Sequence, residues 1–279
     1  MVDSTAPVPL LLMTPGPTRV PERVLRAGSR PMIHHRTPEF SSELAAAIEL
    51  LKPVFGTTNL PLPVHTTGRG ALEATICNLF SAGDQIAVCC DAKFGEMWAK
   101  FAESYGVHVH RWATSWEHAA NASELAALFD EHPRVRAIAI VYGDTSTGVA
   151  NDVAAVAQVA ARHGALVLVN AISSLGGMKF DFDAWGVDAA VTASQKCLMS
   201  APSLAWVALS DRARLATSTA CLPRNSWDFA DIHRSVATAR RFFPPNPVWM
   251  RAPASSTSRV KGSAIRSLLS VAAYCRATS

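Results

Sequence analysis

Along most of the chain, short runs that are apolar throughout alternate with longer stretches in which apolar residues recur at helical spacing. PEFSSELAAAIELLKPV (38–54) shows the longer pattern, with Pro and Glu near its start, and predicts a helix. GALEATICNLFS (70–81) predicts a second, opening out of the glycine-bearing TTGRG and closed by Ala82, Gly83 and Asp84. QIAVCC (85–90) reads as a short buried strand and FGEMWAKFAESYG (94–106) as a helix. VHVHRW (107–112) predicts a strand, ASELAALFDEH (122–132) a helix, and VRAIAIVYG (135–143) a strand rich in β-branched residues. NDVAAVAQVAARHG (151–164) predicts a helix with Asn151 as its cap and Gly164 as its stop. ALVLVNA (165–171), DAAVTA (188–193) and LAWVALS (204–210) are further apolar strands.

Strands that are apolar on both sides, separated by helices of ten or more residues, imply βαβ units. The expected fold class is α/β, a three-layer αβα domain around a mostly parallel sheet. In such sheets ligands gather at the carboxyl ends of the strands. Polar segments fall there: DTSTG after the strand at 135–143, ISSLGG after 165–171, and SQK after 188–193. Their convergence on one edge is a site expectation, although a fold alone does not name its ligand.

Composition narrows the classes. With 279 residues, 49% of them hydrophobic and 17% charged, the chain can bury a sizeable core, which excludes a disordered or low-complexity protein. No run approaches a membrane span, and the start lacks the basic region and long apolar stretch of a signal peptide, so a soluble, cytoplasmic chain is expected. The net charge of +4 is unevenly placed. The first 231 residues hold all 22 acids against 18 bases, whereas Ile232 to Ser279 holds eight bases and no acid. Those eight are scattered among Pro, Ser and Ala, without a block or interleaved aromatics, so a nucleic-acid partner is not expected. The six cysteines show no C-x-x-C spacing and the nine histidines no metal pattern; no metal is expected. Cys89 and Cys90, adjacent on a strand, should face opposite sides of the sheet.

Four features could share one ligand. HTTGRG (65–70) leads into a helix whose free N–H groups and positive dipole end suit a phosphate, although an ordinary loop into a capped helix explains it equally well. Lys196, in SQK, follows an apolar strand with no acid close behind it. Held at the edge of a core, its amine becomes a nucleophile toward aldehydes; a lone lysine more often snorkels to the surface. Asn170 ends a strand and would point into the same cleft, and Phe94 could lie against a planar ligand or simply pack in the core. Together they describe a pyridoxal phosphate site: a phosphate cradle, a stacking wall, a partner for the ring nitrogen and a Schiff-base lysine.

The chain resembles the class V aminotransferases of fold type I, particularly the alanine–glyoxylate and serine–pyruvate (or serine–glyoxylate) group. The resemblance rests on TPGPT (14–18), TTGRGALEA (66–74), GDTSTGV (143–149), LVNAISSLGG (168–177) and GVDAAVTASQKCLMSAP (186–202), in the family's order and spacing from about residue 10 to 240. It implies Lys196 as the catalytic Schiff-base lysine and pyridoxal 5'-phosphate as cofactor. Thr67, Gly68 and Arg69 would form the phosphate turn with Gln195 beside it, and Phe94 would stack on the ring. Thr145 would lie near the ring's 3-oxygen, Asn170 at the ring nitrogen, and Gly16 near the substrate carboxylate. The implied activity moves an amino group from alanine or serine to glyoxylate or pyruvate, in a homodimer with shared sites. The implied layout is an N-terminal arm (1–20), a cofactor-binding large domain (21–240) and an atypical basic tail (241–279).

Two departures bear on function. The position of Asn170 is normally an aspartate, whose charge keeps the pyridine nitrogen protonated. Asn accepts from a protonated nitrogen or donates to a bare one, but brings no charge, and the loss is worth on the order of a hundred-fold in rate. The second departure is the tail, where the family continues into a small domain carrying the arginine that clamps the substrate carboxylate. After NSWDFADIHRSVATAR (225–240) the resemblance stops, and a Tyr-Thr-Pro stretch expected there is missing. An out-of-frame reading of a GC-rich gene and a naturally short variant both fit the acid-free tail, in which 265–274 is at most a short helix. The small domain is therefore expected to be largely missing. The alternative to an aminotransferase is a catalytically weak or inactive cofactor-binding remnant. A lyase or desulfurase would need a reactive cysteine on a mobile loop, a context neither Cys197 nor Cys221 has.

Overall fold

A computed structural model describes residues 11–112, 115–116 and 118–242. The expectations of a poorly ordered tail over 241–279 and a short helix at 265–274 fall, from residue 243 onward, outside the described residues. The helices among the described residues are α1 (Glu22–Gly28), α2 (Pro38–Phe55), α3 (Gly68–Leu79), α4 (Lys93–Ser104), α5 (Ala122–Glu131), α6 (Val153–Arg162), α7 (Phe182–Trp185), α8 (Asp211–Thr217) and α9 (Phe229–Phe242). The strands are β1 (Leu62–Val64), β2 (Gln85–Cys89), β3 (His108–Trp112), β4 (Val135–Val141), β5 (Leu166–Asn170), β6 (Ala189–Ala193) and β7 (Ala205–Leu209).

The strands form one sheet in the order β1-β7-β6-β5-β4-β2-β3. From β3 to β6 every neighbouring pair is parallel, whereas β7 runs antiparallel to both β6 and β1. The mostly parallel α/β sheet is thus the predicted one, with one reversed strand. The reversal has a local cause. A parallel return needs a crossover element, but residues 194–204 between β6 and β7 contain no helix, so the chain doubles straight back. That doubling-back loop carries Lys196.

Alternation along the strands divides the core into two apolar layers. Ala87 and Cys89 of β2, Ile138 and Ile140 of β4, and Val167 and Val169 of β5 face a layer completed by Ile48, Leu51 and Phe55 of α2 and by α5 and α6. Their neighbours Ile86, Val88, Cys90, Ala137, Ala139, Leu166 and Leu168 face the opposite layer, with Leu72 and Ile76 of α3 and Trp98 of α4. Cys89 and Cys90 therefore do face opposite sides of the sheet. Burial pushes the Cys89 thiol well up and that of Cys90 to about 12, so both remain inert, protonated core residues.

Helix starts differ from the expected ones where side chains chose another partner. α3 begins at Gly68 because the Thr67 hydroxyl accepts from Gly70 N and caps it. Asn151 does not cap α6: Asp152 does, accepting from Ala155 N at 3.0 Å. Asn151 is buried instead, its Nδ2 donating to Asp91 Oδ2 and to Val141 O while its Oδ1 accepts from Ala120 N. A loop-to-strand tie of this kind leaves no mark on periodicity.

Candidate active site

The site grows from the carboxyl ends of β4, β5 and β6. The loop after β6 is closed by short bonds: Ser194 N–H donates to Leu204 O, Ser200 N–H to Ser194 O, and the Ser194 hydroxyl to Ala201 O. Two non-glycine residues in it, Met199 (φ 50°) and Ser203 (φ 118°), sit in backbone regions that side chains rarely adopt. Such strain persists only where surrounding contacts hold it, and it concentrates at sites.

Lys196 lies within this loop, half-buried, with no ion pair or hydrogen bond to its Nζ among the described residues. Burial lowers its pKa from the usual lysine value; the Cys197 thiol and the Asp144 carboxylate partly oppose that shift. The N-terminal segment lies across it. Thr18 N–H donates to Gln195 O at 2.9 Å, and the Thr18 hydroxyl donates to Lys196 O at 3.0 Å. At Gly16 a β-carbon would fall 2.2 Å from Lys196 Cδ and 2.8 Å from Nζ, so a larger residue would push the lysine's flexible end aside, and the φ of 155° there also favours glycine. Gly16 and Lys196, 180 positions apart in sequence, thus share one place.

The start of α3 packs onto the same strand ends. A β-carbon at Gly68 would stand 2.7 Å from Ile172 Cδ1 and 3.2 Å from Ala193 Cβ. Thr67 and Arg69 are exposed, and the Arg69 guanidinium lies over the Phe101 ring of α4 at 5.7 Å. Gln195 Oε1 is buried without a partner. Asn170 is 4% exposed at the end of β5, between Val141 of β4 and Val191 of β6 in register. Its Oδ1 accepts from Ile172 N at 3.1 Å.

Phe94, partly buried in the first turn of α4, is tied to the end of β4 through its N–H, which donates to Asp144 Oδ2 at 3.2 Å. Asp144 Oδ1 accepts from both the N–H and the hydroxyl of Ser146, which fixes the turn carrying Thr145. Asp144 is 2% exposed and was not singled out by the sequence, although it lies inside the GDTSTG segment that was. Asp91 also lies outside the residues that the sequence marks: it is buried just after β2, and burial raises its pKa. Its signal was an acid directly after an apolar strand. Cys197 does not lie free: its Sγ donates to Ser173 O at 3.2 Å, and Gly177 packs against it. Among the described residues no group of three His, Cys, Asp or Glu is placed to hold a metal ion.

A half-buried lysine with an uncommitted amine, at the carboxyl edge of a largely parallel sheet and beside a glycine-bearing helix start, defines a lysine-centred α/β scaffold suited to a phosphorylated carbonyl compound. The chain belongs to the class-V aminotransferase family, whose profile matches residues 11–213. It is 36% identical over 241 residues to an L-aspartate–glyoxylate aminotransferase of Paracoccus denitrificans (strain Pd 1222), covering 85% of this chain and 60% of that one. It is also 37% identical over 238 residues to a protein of Synechococcus sp. (strain PCC 6716) named soluble hydrogenase, small subunit, covering 84% and 62%. The structure superposes on the alanine–glyoxylate aminotransferase of a Nostoc species with a TM-score of 0.81 at 28% identity, covering 97% of this chain and 71% of that one. The chain thus spans about three fifths of the length of these curated relatives. Class-V aminotransferases and the structural neighbours are pyridoxal phosphate-dependent proteins of fold type I.

Proposed function

We propose that this chain forms the cofactor-holding part of a pyridoxal phosphate-dependent aminotransferase. In this reading it moves an amino group from a small amino acid, alanine or serine, to glyoxylate or pyruvate. The observation that carries the proposal is Lys196: an amine without a partner, pushed toward its neutral form by burial, at the edge where three strand ends meet. Glyoxylate as acceptor is supported by the names of the aspartate–, serine– and ureidoglycine–glyoxylate relatives.

The residues present fit the cofactor. Gly68 brings backbone rather than side chain against the ends of β5 and β6, so the first-turn N–H groups of α3 would hold a phosphate, aided by Thr67 and Arg69. The orphaned Gln195 amide beside it would find a partner there; a half-turn of the group offers Nε2 as a donor. Phe94 would cover the ring, Thr145 would meet its 3-oxygen, Asn170 its nitrogen, and Gly16 the substrate carboxylate. The bound cofactor supplies an electron sink for the carbon that loses its proton. Lys196 Nζ would be the group that anchors the cofactor through its aldehyde and, when released from it, would carry a proton to and from the substrate. Attack on the aldehyde and uptake of the proton both need the neutral amine that burial favours; return of the proton needs the ammonium form made by that uptake.

Residues 1–20 serve as an arm and 21–240 as the large domain in this reading. A homodimer is supported by the exposed Leu11, Leu12 and Met13, apolar residues on the segment that also pins the Lys196 loop. The partners are the amino acid and the 2-oxo acid, and the compartment is the cytoplasm. Among the described residues no helix is long and apolar enough to cross a membrane.

A second reading, a chain that holds the cofactor without turnover, is favoured by one observation: Asn170 brings no charge to the ring nitrogen. One spectrum separates the two. Purified protein with pyridoxal phosphate should show a protein-bound visible band that is missing in Lys196→Ala. Adding L-alanine or L-serine should convert the band to the amine form of the cofactor. A band indifferent to amino acids selects the second reading, and no band in the unmodified protein overturns both.

A further inference from the structure

The amide of Asn170 has two ends, and the structure decides which one faces a ligand. Ile172 N–H can only donate, so the atom it meets at 3.1 Å is the carbonyl oxygen Oδ1. This local turn closes the end of β5 and fixes the amide about its long axis. Nδ2, with two hydrogens to give, is left without a partner among the described residues, in a side chain that is 4% exposed. It is not one of the fully buried orphaned atoms of the described residues, so the donor is open to an acceptor that enters the site, while the oxygen is already spent on Ile172 N–H.

The sheet says which way the side chain projects. Asn170 is two positions beyond Leu168 and pairs in register with Val191, and both of these face the layer formed by α3 and α4. Ala193, on the same face of β6, touches Gly68 at the start of α3. The free N–H pair therefore lies on the side of the sheet where the Gly68 turn and Phe94 open. Of the buried carboxylates that follow β2 and β4, Asp144 is committed to Ser146 and to Phe94 N–H, and Asp91 is held by Asn151 through Oδ2 while its Oδ1 has no partner among the described residues.

We infer that Asn170 is a hydrogen-bond donor to a bare ring nitrogen, so that this site selects an unprotonated, uncharged pyridine ring. The inference rests on the cofactor reading above and deepens it. A protonated ring nitrogen would meet Nδ2–H with its own N–H, donor against donor. Turning the amide to offer Oδ1 would strand Ile172 N–H against Nδ2. Aspartate at the same place would have two acceptor oxygens, one for Ile172 N–H and one for the ring, so Asn170→Asp should reverse the selection while keeping the side chain's shape.

The test reads the ring nitrogen directly. Full-length protein is loaded with pyridoxal phosphate labelled with 15N in the ring, and the nitrogen shift is measured near neutral pH. A shift in the range of a bare, hydrogen-bonded pyridine is expected, moving to the pyridinium range in Asn170→Asp. A pyridinium shift in the unmodified protein overturns the inference. In parallel, quenching of tryptophan fluorescence reports the affinity for pyridoxal phosphate and for its N-methyl derivative, which carries a fixed positive charge and no lone pair. The unmodified protein should bind the N-methyl compound about tenfold more weakly, and Asn170→Asp should narrow or invert that ratio although the methyl group is the same size. Equal affinities in the unmodified protein overturn the inference as well. If neither compound binds, the cofactor reading itself fails, an outcome distinct from tight binding with the wrong nitrogen shift.

Discussion

At the scale of single residues, position along the strand mattered more than residue type. Lys196 could be picked out because an apolar strand ended in Ser-Gln-Lys with no acid following, and the structure leaves its amine without a partner among the described residues. Its lowered pKa has a definite sign. Burial penalises the ammonium form, so the neutral amine should persist to lower pH than in an exposed lysine. Competitive labelling with acetic anhydride should therefore show Lys196 reacting at a pH where fully solvated lysine side chains, such as those of an unstructured lysine peptide, have become unreactive. A profile coincident with theirs would mean the amine is solvated. Asp144 and Asn151 were illegible for the opposite reason. Each acts through partners far away in sequence, Phe94 N–H for one and Asp91 for the other, and nothing local distinguishes them from turn residues.

At the scale of elements, the apolar runs and helical periodicities predicted α2 to α6 and β2 to β7, but not α9, a helix of 14 residues. β1, with three residues, and α7, with four, are too short to show a period at all. α1 and α8, each of seven residues, are barely two turns. The direction of β7 was equally hidden, because an apolar strand reads the same in either sense. Packing between elements also sets limits that the sequence does not announce. A β-carbon at Gly95 in α4 would stand 2.0 Å from the carbonyl oxygen of Cys89 in β2, which is backbone and cannot swing aside. Gly95→Ala should force the helix off the sheet and cost about 1–3 kcal/mol or more, read as a lower urea midpoint. Unchanged stability would mean that α4 does not lie this close to β2.

At the scale of the whole molecule, the sheet holds two apolar layers apart and brings the chain's chemistry to one edge. The N-terminal segment closes that edge from above, tied to Gln195 and Lys196 by Thr18. The same segment leaves Leu11 63% and Met13 84% exposed, more apolar surface than an isolated strap would be expected to show to water. Light scattering on the purified 29.8 kDa chain should give twice that mass. Replacing Leu11, Leu12 and Met13 by Ser should lower the mass toward the monomer, and a monomeric unmodified protein would count against the homodimer.

The sequence by itself determined the α/β class, the order of the helices and strands from α2 to β7 apart from the short β1 and α7, and the strand ends at which polar residues gather. These follow from local periodicity, which each stretch carries without knowing its neighbours. Family membership was also legible, because ordered motifs survive in the chain itself. Only the tertiary structure decided that Gly16 lies against Lys196, that β7 is reversed, and that Asn170 turns its oxygen inward and its N–H pair outward. Each of these depends on which distant atom comes within contact or hydrogen-bonding distance, and no pattern along the chain encodes that.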